Sequence, residues 1–275
     1  MTVAGCHRVA APEKTLIAHP HYVMSAPWQA GGHWFYPSER YDVQTTGLAT
    51  IEGSAPITGL TADGEIWRSD GMMGAMQDVQ LPVIVTVRNM LNGRTVRVRI
   101  NDRGPARVGR LISLTPRVAS LLDMQGDTPV AVTEDETTTR VLDAALGGPT
   151  LDVQAAPLAG VRAESLDGKS DSHIYGSALE SKDSTVPTAT EDLPQQWAQS
   201  TLGPTDIFVE LGRFQSQNAA RMVVQRCGGR VLHVAARDGL VWNVRSGPYI
   251  TPQSADKALD QSLSCGVEGA RIVIE

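Results

Sequence analysis

Apolar and polar positions alternate most clearly in the middle of the chain. Val83-Ile-Val-Thr-Val-Arg88 is β-branched, Asn92-Gly93 follows as a hairpin turn, and Thr95 to Ile100 is the return strand. Within that return strand, Arg97-Val98-Arg99-Ile100 puts basic and apolar residues on opposite sides, the period of a strand with one buried face. The alternation stops at Asn101-Asp102, and Gly104-Pro105 turns the chain, so Asp102 stands at the mouth of a strand. Shorter strands are expected over Thr46 to Ile51, Leu111 to Leu114 and Val130 to Thr133. Gly59 to Glu65 reads as a turn-rich loop ending in a carboxylate. Thr115 caps a brief helix that starts at Pro116 and shows Val118, Leu121 and Leu122 on one stripe. Many short strands with one helix form a small barrel over residues 47–134.

The flanks read differently. Residues 1–46 form an N-terminal segment in which 7–46 has no clean period, and His33-Trp34-Phe35-Tyr36-Pro37 is an aromatic cluster expected to be extended and packed on the following domain. Residues 135–203 hold 11 acidic and 4 basic residues among Ser, Thr, Ala, Gly and Pro, which predicts a flexible, largely disordered linker. Over residues 204–275 the pattern becomes β-α-β-β-α-β. Strands Asp206–Leu211, Val231–Ala235, Val241–Arg245 and Arg271–Ile274 surround helices capped by Ser216 and by Thr251-Pro252. The fold class is therefore mainly β for the barrel plus α+β for a ferredoxin-like C-terminal unit.

Composition narrows the options. With 275 residues, 41% hydrophobic, 20% charged and a net charge of -6, the chain can bury at least one full core, and wholly disordered and nucleic-acid-binding classes are disfavoured. Aromatics are only 5%, which argues against a large aromatic-lined pocket, and no stretch approaches the roughly 18 apolar residues of a membrane span. Of the cysteines, Cys6, Cys227 and Cys265, none forms a CxxC or a His/Cys cluster, so no metal site is expected. Cys227 and Cys265 each lie near the C-terminus of a helix, and helices running antiparallel separate those ends. A disulfide needs Cα atoms within about 7 Å, so the two are expected to stay unpaired.

Between Val79 and Leu122, Asp102 is the only acidic residue, among Arg88, Arg94, Arg97, Arg99, Arg103, Arg107 and Arg110. Such surroundings keep a carboxylate ionised and favour an anionic ligand. They equally describe a turn aspartate paired with its neighbours, and Glu65 alone equally describes a solvated turn residue.

Gly47-Leu-Ala-Thr50, Thr61-Ala-Asp-Gly-Glu65, Asn92-Gly-Arg94 and above all Val98-Arg-Ile-Asn-Asp-Arg-Gly-Pro105 resemble rare lipoprotein A, a family of septal-ring lytic transglycosylases with a double-psi β-barrel. Phe208-Val-Glu-Leu-Gly-Arg-Phe214 and Val244-Arg-Ser-Gly-Pro-Tyr249 resemble a SPOR domain, which binds glycan strands stripped of peptides. Val3-Ala-Gly-Cys6 resembles the end of a lipoprotein signal, with only five residues before Cys6, so the expectation is a signal upstream of Met1 and a lipid on Cys6.

The resemblance implies a periplasmic outer-membrane lipoprotein that cuts peptidoglycan between N-acetylmuramic acid and N-acetylglucosamine without a cofactor. It implies glycan strands and divisome proteins as partners, no nucleic acid, and membrane contact only through the lipid. Asp102 matches the family's catalytic aspartate and Glu65 its catalytic glutamate, with Arg103 and Gln77 as substrate contacts. In the C-terminal unit the sheet face opposite the helices is expected to bind glycan, through Phe208, Trp242, Arg213, Arg245 and Tyr249.

Three segments depart from the family. Gly74-Ala-Met-Gln77, ahead of Leu81-Pro82, stands where the family carries a histidine. Thr50-Ile-Glu-Gly53 lacks its aromatic residues, and Ile112-Ser-Leu-Thr115 lacks a carboxylate. Glutamine can hydrogen-bond a sugar but does not titrate near neutral pH. Two expectations follow: an active transglycosylase using Asp102 and Glu65, or a catalytically weakened barrel that binds glycan and organises septal partners. A protease inhibitor or a sugar-binding barrel unrelated to the cell wall is discouraged by the C-terminal unit.

Overall fold

The computed structural model describes residues 15–150, 190–236 and 239–275. Its first elements, β1 (Trp28–Ala30) and β2 (His33–Phe35), form an antiparallel hairpin. The turn between them is Gly31-Gly32, both at positive φ. Trp28 stacks on Phe35 at 4.8 Å between ring centroids and donates from Nε1 to the carbonyl of Gln77 at 2.9 Å. Of the aromatic run, His33–Phe35 is thus one strand of a hairpin. Cys6 lies outside the described residues.

Next come β3 (Gln44–Ile51), β4 (Met73–Met76), β5 (Val83–Asn89), β6 (Arg94–Arg103), β7 (Ile112–Leu114), α1 (Pro116–Leu122) and β8 (Thr128–Glu134). The strands pair in the order β4-β7-β3-β8-β5-β6, and β6 pairs back onto β4, which closes a barrel. The β3–β7 and β4–β6 pairs are parallel and the others antiparallel. Val83, Val85, Val87, Val96, Val98, Ile100, Ile112, Leu114, Val130 and Val132 fill it. The Asn92-Gly93 turn sets the β5–β6 register, Arg88 against Thr95.

β4 had no signal in the sequence: four buried residues without alternation give no period to detect. Thr115 precedes α1 as expected but does not cap it by a side-chain bond; its hydroxyl donates to the carbonyl of Gly71 at 2.6 Å instead. Thr115 therefore ties the helix to the loop before β4.

The region expected to be a disordered linker starts with a helix, α2 (Glu136–Ala145). The Asp135 carboxylate caps it by accepting from the Thr138 amide at 3.1 Å. On its buried side the Thr139 hydroxyl accepts from the Ile84 amide at 3.0 Å, so a polar residue docks the helix and no apolar stripe announces it. Residues 151–189 of that expected linker lie outside the described residues. Residues 190–203 then run over the barrel, where β9 (Ala198–Gln199) pairs with Arg94 and Thr95 at the start of β6. Both described ends of the region are ordered.

The C-terminal unit contains β10 (Ile207–Phe214), α3 (Gln217–Cys227), β11 (Arg230–Ala236), β12 (Gly239–Tyr249), α4 (Pro252–Ser264) and β13 (Arg271–Ile274). Its sheet runs β11-β12-β10-β13, antiparallel throughout, the split βαβ plan read from the sequence. Thr251 and Ser254 form a capping box on α4, whereas Ser216 precedes α3 without a side-chain capping bond.

Cys227 and Cys265 are joined by a disulfide, with Cα atoms 5.8 Å apart, against the expectation that they stay free. The order of the elements did not settle how near the two helix ends lie. α3 packs on β10, β11 and β12 while α4 packs on β10, β12 and β13, and their C-terminal ends converge. Disulfides persist in oxidising compartments.

The barrel and this unit share a core, since Leu48 and Met90 lie in one cluster with Ile207, Val209 and Leu259. Across the boundary, the Arg110 guanidinium, with no side-chain exposure, contacts Asp127 at 2.6 Å and Asp256 at 2.6 Å. Arg107 adds a second bridge to both carboxylates. Burying a guanidinium is costly unless it is paired, so the network ties the two parts together.

Candidate active site

The parallel pairing of β4 with β6 builds the site. Ala75 stands opposite Asp102 and Met76 opposite Arg103, so the residue after β4, Gln77, arrives beside the Gly104-Pro105 turn. Gln77 Nε2 donates to the carbonyl of Pro105 at 2.7 Å and holds that turn. A third segment, Thr61–Glu65, folds over the end of β6. The Asp63 amide donates to the carbonyl of Asn101 (3.2 Å), and Gly64 takes φ +87, a conformation glycine adopts without strain. From outside, the His19 and His21 amides donate to the carbonyls of Gly64 and Asp63, both at 2.9 Å.

Asp102 is half-buried. Its Oδ1 accepts from the amides of Ala62 (3.0 Å) and Arg103 (2.8 Å). Burial raises its carboxyl above the usual carboxylate range, with the two amides working in the opposite direction. The expected guanidinium surround is not what holds it. Arg103 turns away to Ser25 (3.1 Å) and to the carbonyl of Val79, and burial lowers its guanidinium to about 10. Arg97 pairs with Asp135 at 2.8 Å, Arg94 with Asp123 at 3.7 Å, and Arg88 reaches Thr201 at 3.2 Å. Arg107 and Arg110 belong to the boundary with the C-terminal unit. Neighbours in sequence are dispersed because strand alternation sends them to opposite faces and the turn aims the later ones elsewhere.

Glu65 is 4% exposed, not a solvated turn residue. Arg99 grips it through Nε to Oε1 at 2.8 Å and Nη2 to Oε2 at 3.0 Å. Asn101 Nδ2 donates to Oε2 at 2.7 Å, and the Thr190 hydroxyl donates to Oε1. Asn101 and Asp102 are adjacent on β6; the first turns its amide to Glu65 while the second accepts from the Ala62 and Arg103 amides. The strand end and the 61–65 loop thus bring Asp102, Glu65, Arg103 and Gln77 to one rim.

Asp63 also belongs to this site, though the sequence reading passed over it. It is fully buried; Oδ1 accepts from the Thr61 hydroxyl (2.7 Å) and the Glu65 amide (3.1 Å), while Oδ2 has no hydrogen-bond partner. Burial first, and the Glu65 charge second, push its carboxyl up to about 7. The signal was present in Thr61-Ala-Asp-Gly-Glu65, two carboxylates one residue apart in a tight turn. Among the described residues no group of His, Cys, Asp and Glu is arranged to hold a metal ion.

The C-terminal candidates occupy the other unit. Ile207, Val209 and Leu211 point into its helix-side core, which leaves Phe208 on the opposite face, where the Arg245 guanidinium lies 4.4 Å from its ring centroid. Arg245 also pairs with Glu275. Arg213 lies 3.3 Å from Glu210, and the Tyr249 hydroxyl donates to Ser246 at 3.0 Å. Trp242 shares the face of Val244, packs against the helix-side core and stacks on His233 at 4.1 Å. Phe208 and Trp242 therefore do not share a face.

No protein-family model matches the chain. Endolytic peptidoglycan transglycosylase RlpA of Yersinia pestis is 37% identical over 86 residues, which is 31% of this chain and 24% of that protein. RlpA of Escherichia coli K12 gives the same 37% over 86 residues, again 24% of its length. The chain thus spans about a quarter of these relatives. RlpA of Pseudomonas aeruginosa PAO1 is 25% identical over 262 residues, 90% of this chain and 76% of that protein. With a closed barrel carrying the Val98–Pro105 run at its rim, the chain is a relative of the RlpA transglycosylases.

Proposed function

We propose that this chain is an endolytic transglycosylase of peptidoglycan, acting on glycan strands stripped of stem peptides. The observation that carries this reading is the state of Asp102: half-buried, fixed by two backbone amides, and raised in pKa by burial. Such a carboxyl can hold a proton, release it, and take one back. In the proposed step the Asp102 carboxylic acid protonates the glycosidic oxygen as the C1–O bond breaks with its electron pair. The carboxylate then removes the proton from the muramyl C6 hydroxyl, whose oxygen bonds to C1 and closes the 1,6-anhydro ring. No water is consumed and Asp102 ends protonated. Glu65 fixes the 61–65 loop and supplies negative charge near the developing oxocarbenium ion, held in place by Arg99.

The C-terminal unit serves as the glycan-holding module, through Phe208 and Arg245 on the face opposite the helices. The protein works in the cell envelope, which the names of its relatives support, with a lipid on Cys6 as anchor and divisome proteins as neighbours. Incubation with denuded glycan strands, followed by mass spectrometry, tests the reading: strands ending in 1,6-anhydromuramic acid are expected. Binding without such ends would favour the second reading, a weakened barrel acting as a septal scaffold. One observation speaks for that alternative. Gln77 stands where the family has a histidine, and its side-chain amide is committed to the Pro105 carbonyl.

A further inference from the structure

Residues 190–203 cover the wall of the barrel beside the candidate site. Thr190 donates its hydroxyl to Glu65, and the next carbonyl, Glu191, accepts from Arg99 Nη1 at 2.7 Å. Asp192 pairs with Arg68 at 2.6 Å, and Leu193 packs against the barrel core. Gln195 accepts from Arg117 at 2.9 Å, and Arg94 lies 4.7 Å from the Trp197 ring centroid. β9 then adds to β6, and the Gly203 amide donates to the carbonyl of Met90 at 3.1 Å.

We propose that Thr190–Gly203 is a built-in occupant of the barrel's glycan groove, a strap that must lift before a strand can reach Glu65. The assignment rests on the transglycosylase reading for the identity of the groove. The strap's chemistry is that of a polysaccharide in place: a hydroxyl on the buried carboxylate, a carbonyl on Arg99, and further polar groups spaced along the wall. Its hold is suited to release. The inner holds are the Thr190–Glu65–Arg99 contact and Leu193 on the barrel core; further along, the side chains of Arg68 and Asp192 are 41% and 61% exposed, and Trp197 is 45% exposed. Exposed ion pairs and cation–π contacts are weak holds. The strap leads directly into β10 at Ile207, so engagement of glycan by the C-terminal unit acts on the same stretch of chain.

The test uses the full chain and a variant carrying Asp192→Asn and Trp197→Ala, neither residue being part of the proposed chemistry. Hydrogen exchange is followed during titration with denuded glycan strands, alongside anhydro-end formation. In the wild type, glycan is expected to speed exchange across 190–203 and slow it across 61–65. In the variant the half-maximal response is expected at about fivefold lower glycan or less, as for a closed state that has lost two weak holds. A strap that exchanges faster in the variant while the titration midpoint stays unchanged would overturn the proposal. So would glycan slowing exchange across 190–203, which would make the segment part of the binding face. A shifted midpoint with no anhydro ends from either protein would remove the transglycosylase reading and leave the strap standing.

Discussion

Asp102 and Glu65 sit at the same rim of one barrel, yet their surroundings differ in kind. Asp102 is held by neutral amides, is half-open, and has a raised affinity for a proton. Glu65 is sealed, with a guanidinium, an amide and a hydroxyl on its two oxygens. A carboxyl that exchanges protons needs access and a pKa near working conditions; one that stabilises charge needs to stay ionised and still. The contrast separates two roles that a list of acidic residues merges. Under the proposed function, Asp102 is the proton carrier and Glu65 the fixed group.

The largest expected effect comes from removing the exchanging group. Asp102→Asn keeps both amide bonds to Oδ1 but cannot shuttle a proton. Anhydro-end formation should fall by about 10²- to 10⁴-fold, with the melting temperature little changed. Next is Arg99→Met, which leaves the Glu65 carboxylate buried without its counter-ion. Destabilisation of about 3–5 kcal/mol is expected from denaturant unfolding, and Arg99→Met with Glu65→Gln should recover much of it.

Asp63 sharpens the comparison by pH. Its carboxyl is raised above its unfolded value to about 7, so the stability it contributes is full below about pH 4 and is lost as pH rises towards 7. Asp63→Asn should flatten thermal stability against pH over that window. Part of the slope should remain, because burial also raises Asp143 of α2 to about 7. An unchanged slope in the variant would mean that Asp63 titrates normally. The smallest effect is expected at Phe208→Ala, which removes the ring beneath Arg245; glycan binding should weaken by roughly three- to tenfold, a stacking contact's share, with barrel stability unaffected.

What could be read from the sequence was what local chemistry determines. The Asn92-Gly93 turn, the alternation at the start of β6, the Thr251 cap and the order of elements in the C-terminal unit all follow from neighbours in the chain. Fates decided by distant packing were not legible. β4 is four buried residues that only the barrel makes a strand. α2 is held by Thr139 on β5, and the burial of Glu65 needs Arg99, Asn101 and a residue 125 positions away, Thr190. The arginines around Asp102 misled for the same reason, since proximity in sequence says little about direction in space. The Cys227–Cys265 bond turned on how closely two helix ends 38 residues apart approach, which local sequence leaves open.

The most direct measurement sets the two carboxylates side by side on denuded glycan, with anhydro ends counted by mass spectrometry and each variant's melting temperature recorded. Asp102→Asn should abolish product while remaining folded, and Glu65→Gln should retain measurable product. Product from Asp102→Asn at the wild-type rate, with Glu65→Gln folded and silent, would contradict the assignment and move the proton to Glu65.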